Sequence, residues 1–284
     1  MLVSGQELLR DAARDGSAVG SFNTYNLEIT RAIVRAAEAC GSPVLLAVGT
    51  GALEYAGFEL LSALVLTAAR EARVPVAVHL DHGPDLETVS RCAAAGYTSL
   101  MIDGSTLPLE DNIALTRSAV QAAGVIATGA IAVEGELGGV AGEEERSGDQ
   151  HTDIPMTDPE QASRFVTETG VASLAVAIGN AHGFYKGEPR LDFDRLGAIR
   201  EQVNVPLVLH GASGISDADL SRCIELGVRK INVNTETRHA LFQSLQDSLA
   251  RSVPGYDVTR LFGEAMERMQ AGIEEKIRLF RGKA

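Results

Sequence analysis

Residues 74–83 read "VPVAVHLDHG": an apolar, β-branched run that opens on Val-Pro and ends in His79, Leu80, Asp81, His82 and a glycine. The run predicts a buried strand as far as Leu80, with chemistry at its end. Two further stretches repeat the outline. "LAVAIGNAHG" (174–183) reaches His182, and "VPLVLHGASG" (205–214) reaches His210. The fold that brings three such ends together decides the reading of the whole chain.

Outward from these stretches, short β-branched runs alternate with longer amphipathic segments. "AVGSFN" (18–23), "PVLLAV", "VPVAVHL", "TSLMID", "VIATGAIAVEGELG", "SLAVAIG", "VPLVLH" and "RKINVNT" contain the eight predicted strands. Helical spacing follows each of them, from "LEITRAIVRAAEAC" (27–40) to "ETRHALFQSLQDSLA", and a last helix is predicted over about 258–279. Asp85 and Asp158 stand where helix N-caps belong. Continuous apolar strands imply a parallel sheet buried on both faces. Eight strand–helix units in 284 residues predict an α/β fold, a (β/α)8 TIM barrel with an extra C-terminal helix. An open doubly wound sheet is the alternative, and its usual GxGxxG after the first strand is absent. No linker or low-complexity tract divides the chain, so residues 1–284 are expected to form a single domain.

The net charge of −13 disfavours nucleic acid and anionic membrane surfaces as partners. Cys40, Cys92 and Cys223 are far apart and form neither a disulfide framework nor a zinc knuckle. The N-terminus lacks the basic start and apolar block of a signal peptide, and no apolar run reaches the length of a membrane span. A cytoplasmic protein is the expectation.

In a (β/α)8 barrel the C-terminal strand ends build the active site. That rim collects Asn23, Asp81, His82, Asp103, Glu134, Glu136, His182, His210, Asn232 and Asn234. Three histidines from separate strand ends suit an open, catalytic metal site, with Zn2+ as the default and Co2+ or Fe2+ as alternatives. His79 lies inside its strand and is read as a packed or supporting residue; His151 and His239 are read as ordinary polar residues. Asp81 and His82 are neighbours, so both face the site only if the chain turns there, which Gly83-Pro84 would supply. A carboxyl beside a metal-bound carbonyl can give or take a proton; the alternative is an Asp81 that only orients an imidazole. "HGASG" (210–214) and "NVNT" (232–235) follow strands seven and eight, where such barrels often hold phosphate. Gly211 and Gly214 permit close backbone approach, Ser213 and Thr235 add hydroxyls, and Lys186 in "HGFYKG" adds a counter-charge.

The stretches "FNTYN", "HLDHG", "MIDGSTLPLEDNI", "VEGELGGVAGEEE", "TGVASLAVAIGNAHGFYKGEP", "VPLVLHGASG" and "KINVNTE" span nearly the whole chain in order. On these the sequence resembles the class II, metal-dependent ketose-bisphosphate aldolases of the fructose- and tagatose-bisphosphate type. The resemblance implies His82, His182 and His210 as metal ligands. It also implies Asp81 as the acid/base at the aldehyde oxygen, and Asp103 and Glu136 as residues that bind a second ion or support the first. Gly183, Gly211, Ala212, Ser213, Asn232, Val233, Asn234 and Thr235 match the dihydroxyacetone-phosphate pocket, with a monovalent cation (Na+ or K+) nearby in some members. Asn23 and Lys186 complete the expected substrate contacts. Glu144, flanked by Glu143 and Glu145, matches a loop carboxylate that takes the C1 proton of dihydroxyacetone phosphate. The implied activity is reversible cleavage of a ketose 1,6-bisphosphate to dihydroxyacetone phosphate and an aldehyde such as glyceraldehyde 3-phosphate, in carbohydrate metabolism such as glycolysis. Homodimers and homotetramers occur in such families. Where members commonly carry "DPR" this chain reads "YDVTRLF", with Arg260 offset by one, so the choice between fructose- and tagatose-type substrates stays open. An aldolase for another ketose 1-phosphate, a metal-dependent hydrolase on the same barrel, and a non-catalytic sugar-phosphate-binding subunit are the competing readings. The hydrolase predicts an HxH on the first strand, which "SFNTYN" lacks.

Overall fold

Eight parallel strands close into a barrel in chain order in a computed structural model of the protein, which describes residues 1–126, 131–140, 155–185, 187–251 and 257–282. The strands are β1 (Val19–Asn23), β2 (Val44–Gly49), β3 (Val76–Gly83), β4 (Ser99–Ile102), β5 (Ala132–Leu137), β6 (Ser173–Val176), β7 (Leu207–Leu209) and β8 (Val228–Val233). Each pairs with the next, and β8 returns to β1 through Val19–Lys230 and Ser21–Asn232. Helix α1 (Gly5–Asp15) precedes β1, and α2 (Leu27–Cys40) follows it. Two helices, α3 (Thr50–Ala56) and α4 (Phe58–Glu71), follow β2. Then α5 (Leu86–Ala95), α6 (Leu109–Ile126), α7 (Pro159–Thr169), α8 (Phe193–Gln202) and α9 (Asp217–Glu225) follow β3 to β7 in turn. Helix α10 (Thr235–Ala250) follows β8, and the extra C-terminal helix is α11 (Val258–Phe280).

The predicted caps are present. Asp85 accepts from Thr88 N at the start of α5, and Asp158 accepts from Glu160 N and Gln161 N at the start of α7. Helix α11 buries Ala265, Met269, Ile273 and Ile277, a stripe spaced four apart, and packs against α2 and α10. No single helix among the described residues is long and apolar enough to cross a membrane.

The strand faces differ from the expectation of two apolar sides. Outward residues such as Phe22, Leu46, Val78, Leu80, Ile102, Leu174 and Leu209 join one core with Ile33, Val65, Phe165 and Leu196 of the helices. The inward positions are apolar at the floor, and Ala47, Met101, Ala175 and Val208 stay apolar above it, beside His79, Glu134, Glu136 and Lys230 in register. The other inward positions above the floor include Ser21, Asn23, His79, Asp81, Ser99, Glu134, Glu136, Lys230 and Asn232, all buried. The strand period of two therefore reads apolar-out and, towards the C-terminal ends, polar-in.

The floor is made by α1, which the sequence reading did not assign. Ser4 caps it by accepting from Gln6 N, and Gly16 ends it in the left-handed region at φ 70°. Leu8, Leu9 and Ala12 pack on Val19, Leu45 and Ala77 in a cluster separate from the main core. Burying these side chains keeps water from entering the barrel beneath its polar interior. Truncating one of them leaves a cavity in a closed layer. Leu9→Ala is expected to destabilise the protein by about 2–5 kcal/mol, measured by urea unfolding. A change too small to resolve would show that the floor contributes nothing.

Candidate active site

Strand β3 brings two neighbouring side chains to one centre. Its register with β4 shifts between Leu80 and Gly83, and His82 takes φ 47°, the only described non-glycine residue with positive φ. The turn thus falls on His82 itself, one residue before the expected Gly83-Pro84. A left-handed backbone at a non-glycine residue costs on the order of 1–3 kcal/mol and persists only where its surroundings enforce it. Its consequence is that His82 joins the rim while Asp81 stays pointing inward.

The three rim histidines meet. One ligand nitrogen from each of His82, His182 and His210 lies within 4.8 Å of the others, and so do ligand atoms of His82, Asp103 and Glu136. The imidazoles stand nearly perpendicular to one another, with centroids 4.7 to 6.1 Å apart. The far side of two rings meets a carboxylate: His82 Nδ1 is 2.7 Å from Asp103 Oδ2, and His210 Nε2 is 2.8 Å from Glu134 Oε1. Each of those nitrogens therefore donates its proton, which leaves a lone pair on the opposite one. The two lone-pair nitrogens, His82 Nε2 and His210 Nδ1, face each other at 3.0 Å. Asn232 Nδ2 also points at His210 Nδ1 from 3.3 Å, as suits an acceptor. Facing lone pairs repel unless a cation lies between them, so this donor set fits a divalent metal with imidazole ligands.

The adjoining carboxylates fit the same conclusion. Burial and then the Asp103 charge push Glu136 well above the usual carboxylate range. Its Oε2 is buried and meets no hydrogen-bond donor among the described residues. Burial opposes ionisation of Asp103 too, but the His82 and Ser105 hydrogen bonds and the His82 ring hold it well below that range. Two carboxylates converging on a histidine form a second group able to hold or support a cation.

Asp81 is fully buried and held from two strands. Asn23 Nδ2 donates to its Oδ2 at 2.8 Å, and Asn232 Nδ2 donates to its Oδ1 at 3.0 Å. Below it runs a line of buried contacts. Lys230 Nζ donates to both oxygens of Glu134, at 3.0 and 2.9 Å, and to His79 Nε2 at 3.0 Å. His79 Nδ1 in turn donates to Ser99 Oγ at 2.8 Å. Burial, then the Lys230 charge, lowers His79 to about 3, so this ring is neutral. Glu134 stays ionised against its burial because Lys230 and His210 surround it.

The ends of β6, β7 and β8 form a pocket lined by His182, Gly183, Gly211, Ser213, Asn232, Asn234 and Thr235. Gly211 has φ 64°, and a Cβ there would lie 2.2 Å from Ala181 O. Only glycine allows the β6 and β7 ends this approach. Asn180 ties them by donating to His210 O, and Tyr185 by donating to Gly211 O. Two expected pocket residues turn their side chains outward. Ala212 and Val233 pack in the outer core, and Ala212 N donates to Asn232 O. Asn23 reaches the site through Asp81. Glu143, Glu144, Glu145, His151 and Lys186 lie outside the described residues.

The family model described as class-II fructose-bisphosphate aldolase matches residues 3–284. The chain belongs to the class II fructose-bisphosphate aldolase family. It is therefore an aldolase, a carbon–carbon lyase. The fructose-bisphosphate aldolase of Thermus caldophilus is 41% identical, over 99% of this chain and 98% of that protein. The sulfofructosephosphate aldolase of Alkalicoccus urumqiensis is 38% identical, over 98% of this chain and 96% of its own length. The crystal structure of the YdjI aldolase from Escherichia coli K12 superposes with a TM-score of 0.87 at 38% identity, covering 99% of this chain and 97% of that one.

In this aldolase the structure brings together the histidines, Asp81 and the acidic pair that the sequence reading named, and it adds Lys230, which had no expected role, and Glu134, expected only as a rim residue. Their signal was present: Glu134 and Glu136, like Lys230 and Asn232, are polar residues two apart in otherwise apolar strands. Tyr25, which donates to Asn234 Oδ1 at 3.2 Å, and Tyr185 were also missed. Gly211→Ala combines a positive φ with a backbone collision. It is expected to lower stability by about 1–3 kcal/mol in urea titrations. Unchanged stability would remove the argument for a forced approach at this position.

Proposed function

We propose that the protein is a metal-dependent aldolase that reversibly cleaves a ketose 1,6-bisphosphate to dihydroxyacetone phosphate and an aldehyde such as glyceraldehyde 3-phosphate. The observation that carries the reading is the meeting of three imidazoles beside a buried, doubly anchored Asp81. His82, His182 and His210 would hold a divalent ion, Zn2+ first among the candidates, with Asp103 and Glu136 supporting it or holding a second. When bound, such an ion polarises the ketone as a Lewis acid.

This chain's own residues then supply position and protons. Gly183, Gly211, Ser213, Asn232, Asn234 and Thr235 would bind the 1-phosphate at the start of α10, with a monovalent cation and Lys186 as further counter-charges. Asn23 and Asn232 hold the Asp81 carboxylate still. In cleavage, Asp81 takes the proton of the C4 hydroxyl as the C3–C4 bond breaks and the C4 carbonyl forms; in condensation it returns that proton to the aldehyde oxygen. Glu144 is assigned the proton at the carbon left behind. The proposed setting is carbohydrate metabolism in the cytoplasm, in one barrel domain over residues 1–284 that assembles as a homodimer or homotetramer.

A second reading, an aldolase for another ketose 1-phosphate, is favoured by the 38% identity to a protein named sulfofructosephosphate aldolase. A panel of fructose and tagatose 1,6-bisphosphates and related ketose 1-phosphates separates the two. Chelation by EDTA is expected to abolish cleavage and zinc to restore it, whereas borohydride with substrate should leave activity intact. Activity that survives metal-free dialysis, or is lost to borohydride, would refute the proposal. His210→Ala should abolish stoichiometric zinc binding. Asp81→Ala should keep the zinc and lower kcat by about 100-fold or more; an active variant would remove Asp81 from the proton step.

A further inference from the structure

Lys230 is fully buried in the barrel interior, one layer below the three histidines, where an ammonium is expensive to desolvate. It is too deep to serve as a surface counter-charge. Its three N–H donors are all used: two on the oxygens of Glu134 and one on His79 Nε2. Glu134 Oε1 is in turn the acceptor for His210 Nε2 at 2.8 Å. Its Oε2 has only a long contact to Ser173 Oγ, 3.4 Å, besides the lysine. The carboxylate is thus clamped through both oxygens by one cation, and a histidine ring is clamped by the carboxylate. On the other side, Ser99 and His79 fix where the ammonium sits.

We infer that Lys230 is a positioning residue for the metal centre: through Glu134 it holds His210 as the Nε2–H tautomer and keeps Nδ1 aimed at His82 and His182. The inference rests on the reading of these three histidines as metal ligands. Without the ammonium, Glu134 loses the contact that fixes its second oxygen and can turn from His210. The ring is then free to carry its proton on Nδ1, where it opposes metal binding. Lys230 acts at a distance from the substrate and touches no reacting atom.

The test compares the full-length wild-type protein with Lys230→Met, Glu134→Gln and the double variant. Zinc affinity is read by competition with a chromophoric chelator, and the His210 tautomer by 15N NMR of the zinc-free protein. Circular dichroism and urea unfolding report folding. In Lys230→Met the zinc Kd is expected to rise roughly 10–100-fold, with His210 shifting from pure Nε2–H towards a mixture. Glu134→Gln sets an amide N–H2 against the ammonium at about 3 Å and should also weaken zinc. The double variant removes both that conflict and the unpaired carboxylate, so its affinity should recover beyond either single variant. A purely structural lysine would lower stability without moving the tautomer. A folded Lys230→Met with wild-type zinc affinity and an unchanged His210 tautomer would overturn the inference. Should Lys230→Met fail to fold, the comparison of Glu134→Gln with the double variant carries the test, and a double variant no tighter than Glu134→Gln overturns it. A wild-type protein that binds no stoichiometric zinc would instead overturn the metal reading.

Discussion

Two imidazole nitrogens face each other at 3.0 Å, and each ring has a carboxylate at its back. That arrangement constrains everything around it. A neutral imidazole carries one proton, and an acceptor on one nitrogen sends the lone pair to the other. Asp103 and Glu134 therefore decide what His82 and His210 present to the centre. Lone pairs so close repel, a conflict that a cation held between them would relieve. The left-handed backbone at His82 is a strained conformation at the same centre.

The support is layered along the barrel axis. The floor is apolar and sealed by α1. Above it lies the Ser99–His79–Lys230–Glu134 line, polar but satisfied within itself. Above that come Asp81 with its two asparagines and the histidine rim. The Lys230 and Asp81 layers are fully buried, so their hydrogen bonds are strong and orphaned groups there costly. An interior of this kind has few alternative arrangements, which suits a site that must keep imidazoles and a carboxylate in fixed orientation. The pocket lined by Gly183, Gly211 and Ser213 sits to one side, at the ends of β6 to β8, where Gly211 lets two strand ends come close.

The eight strand–helix units, the helix caps at Asp85 and Asp158, and the rim positions of the histidines were legible because each depends on local pattern. Apolar runs of four to eight residues, glycine stops and helical spacing are read from neighbours in the chain. The floor helix was not read, although Leu8, Leu9 and Ala12 have helical spacing; its partners Leu45 and Ala77 are tens of residues away. That the side chains of Ala212 and Val233 pack in the outer core was not legible either, since a matching motif says nothing about which way a side chain points.

By itself the sequence determined an alternating α/β pattern and the presence, at strand ends, of residue types able to bind a metal and move a proton. Only the tertiary structure decided which nitrogen of His82 and of His210 turns towards the other ring, that Asp81 and His82 share one centre through a turn at His82, and that Lys230 stands behind Glu134. Lys230 and Glu134 are 96 residues apart in the chain and meet through strands on different sides of the barrel. Local periodicity carries the elements, whereas the direction of a hydrogen bond across a closed barrel depends on register and on what each inward-facing residue meets.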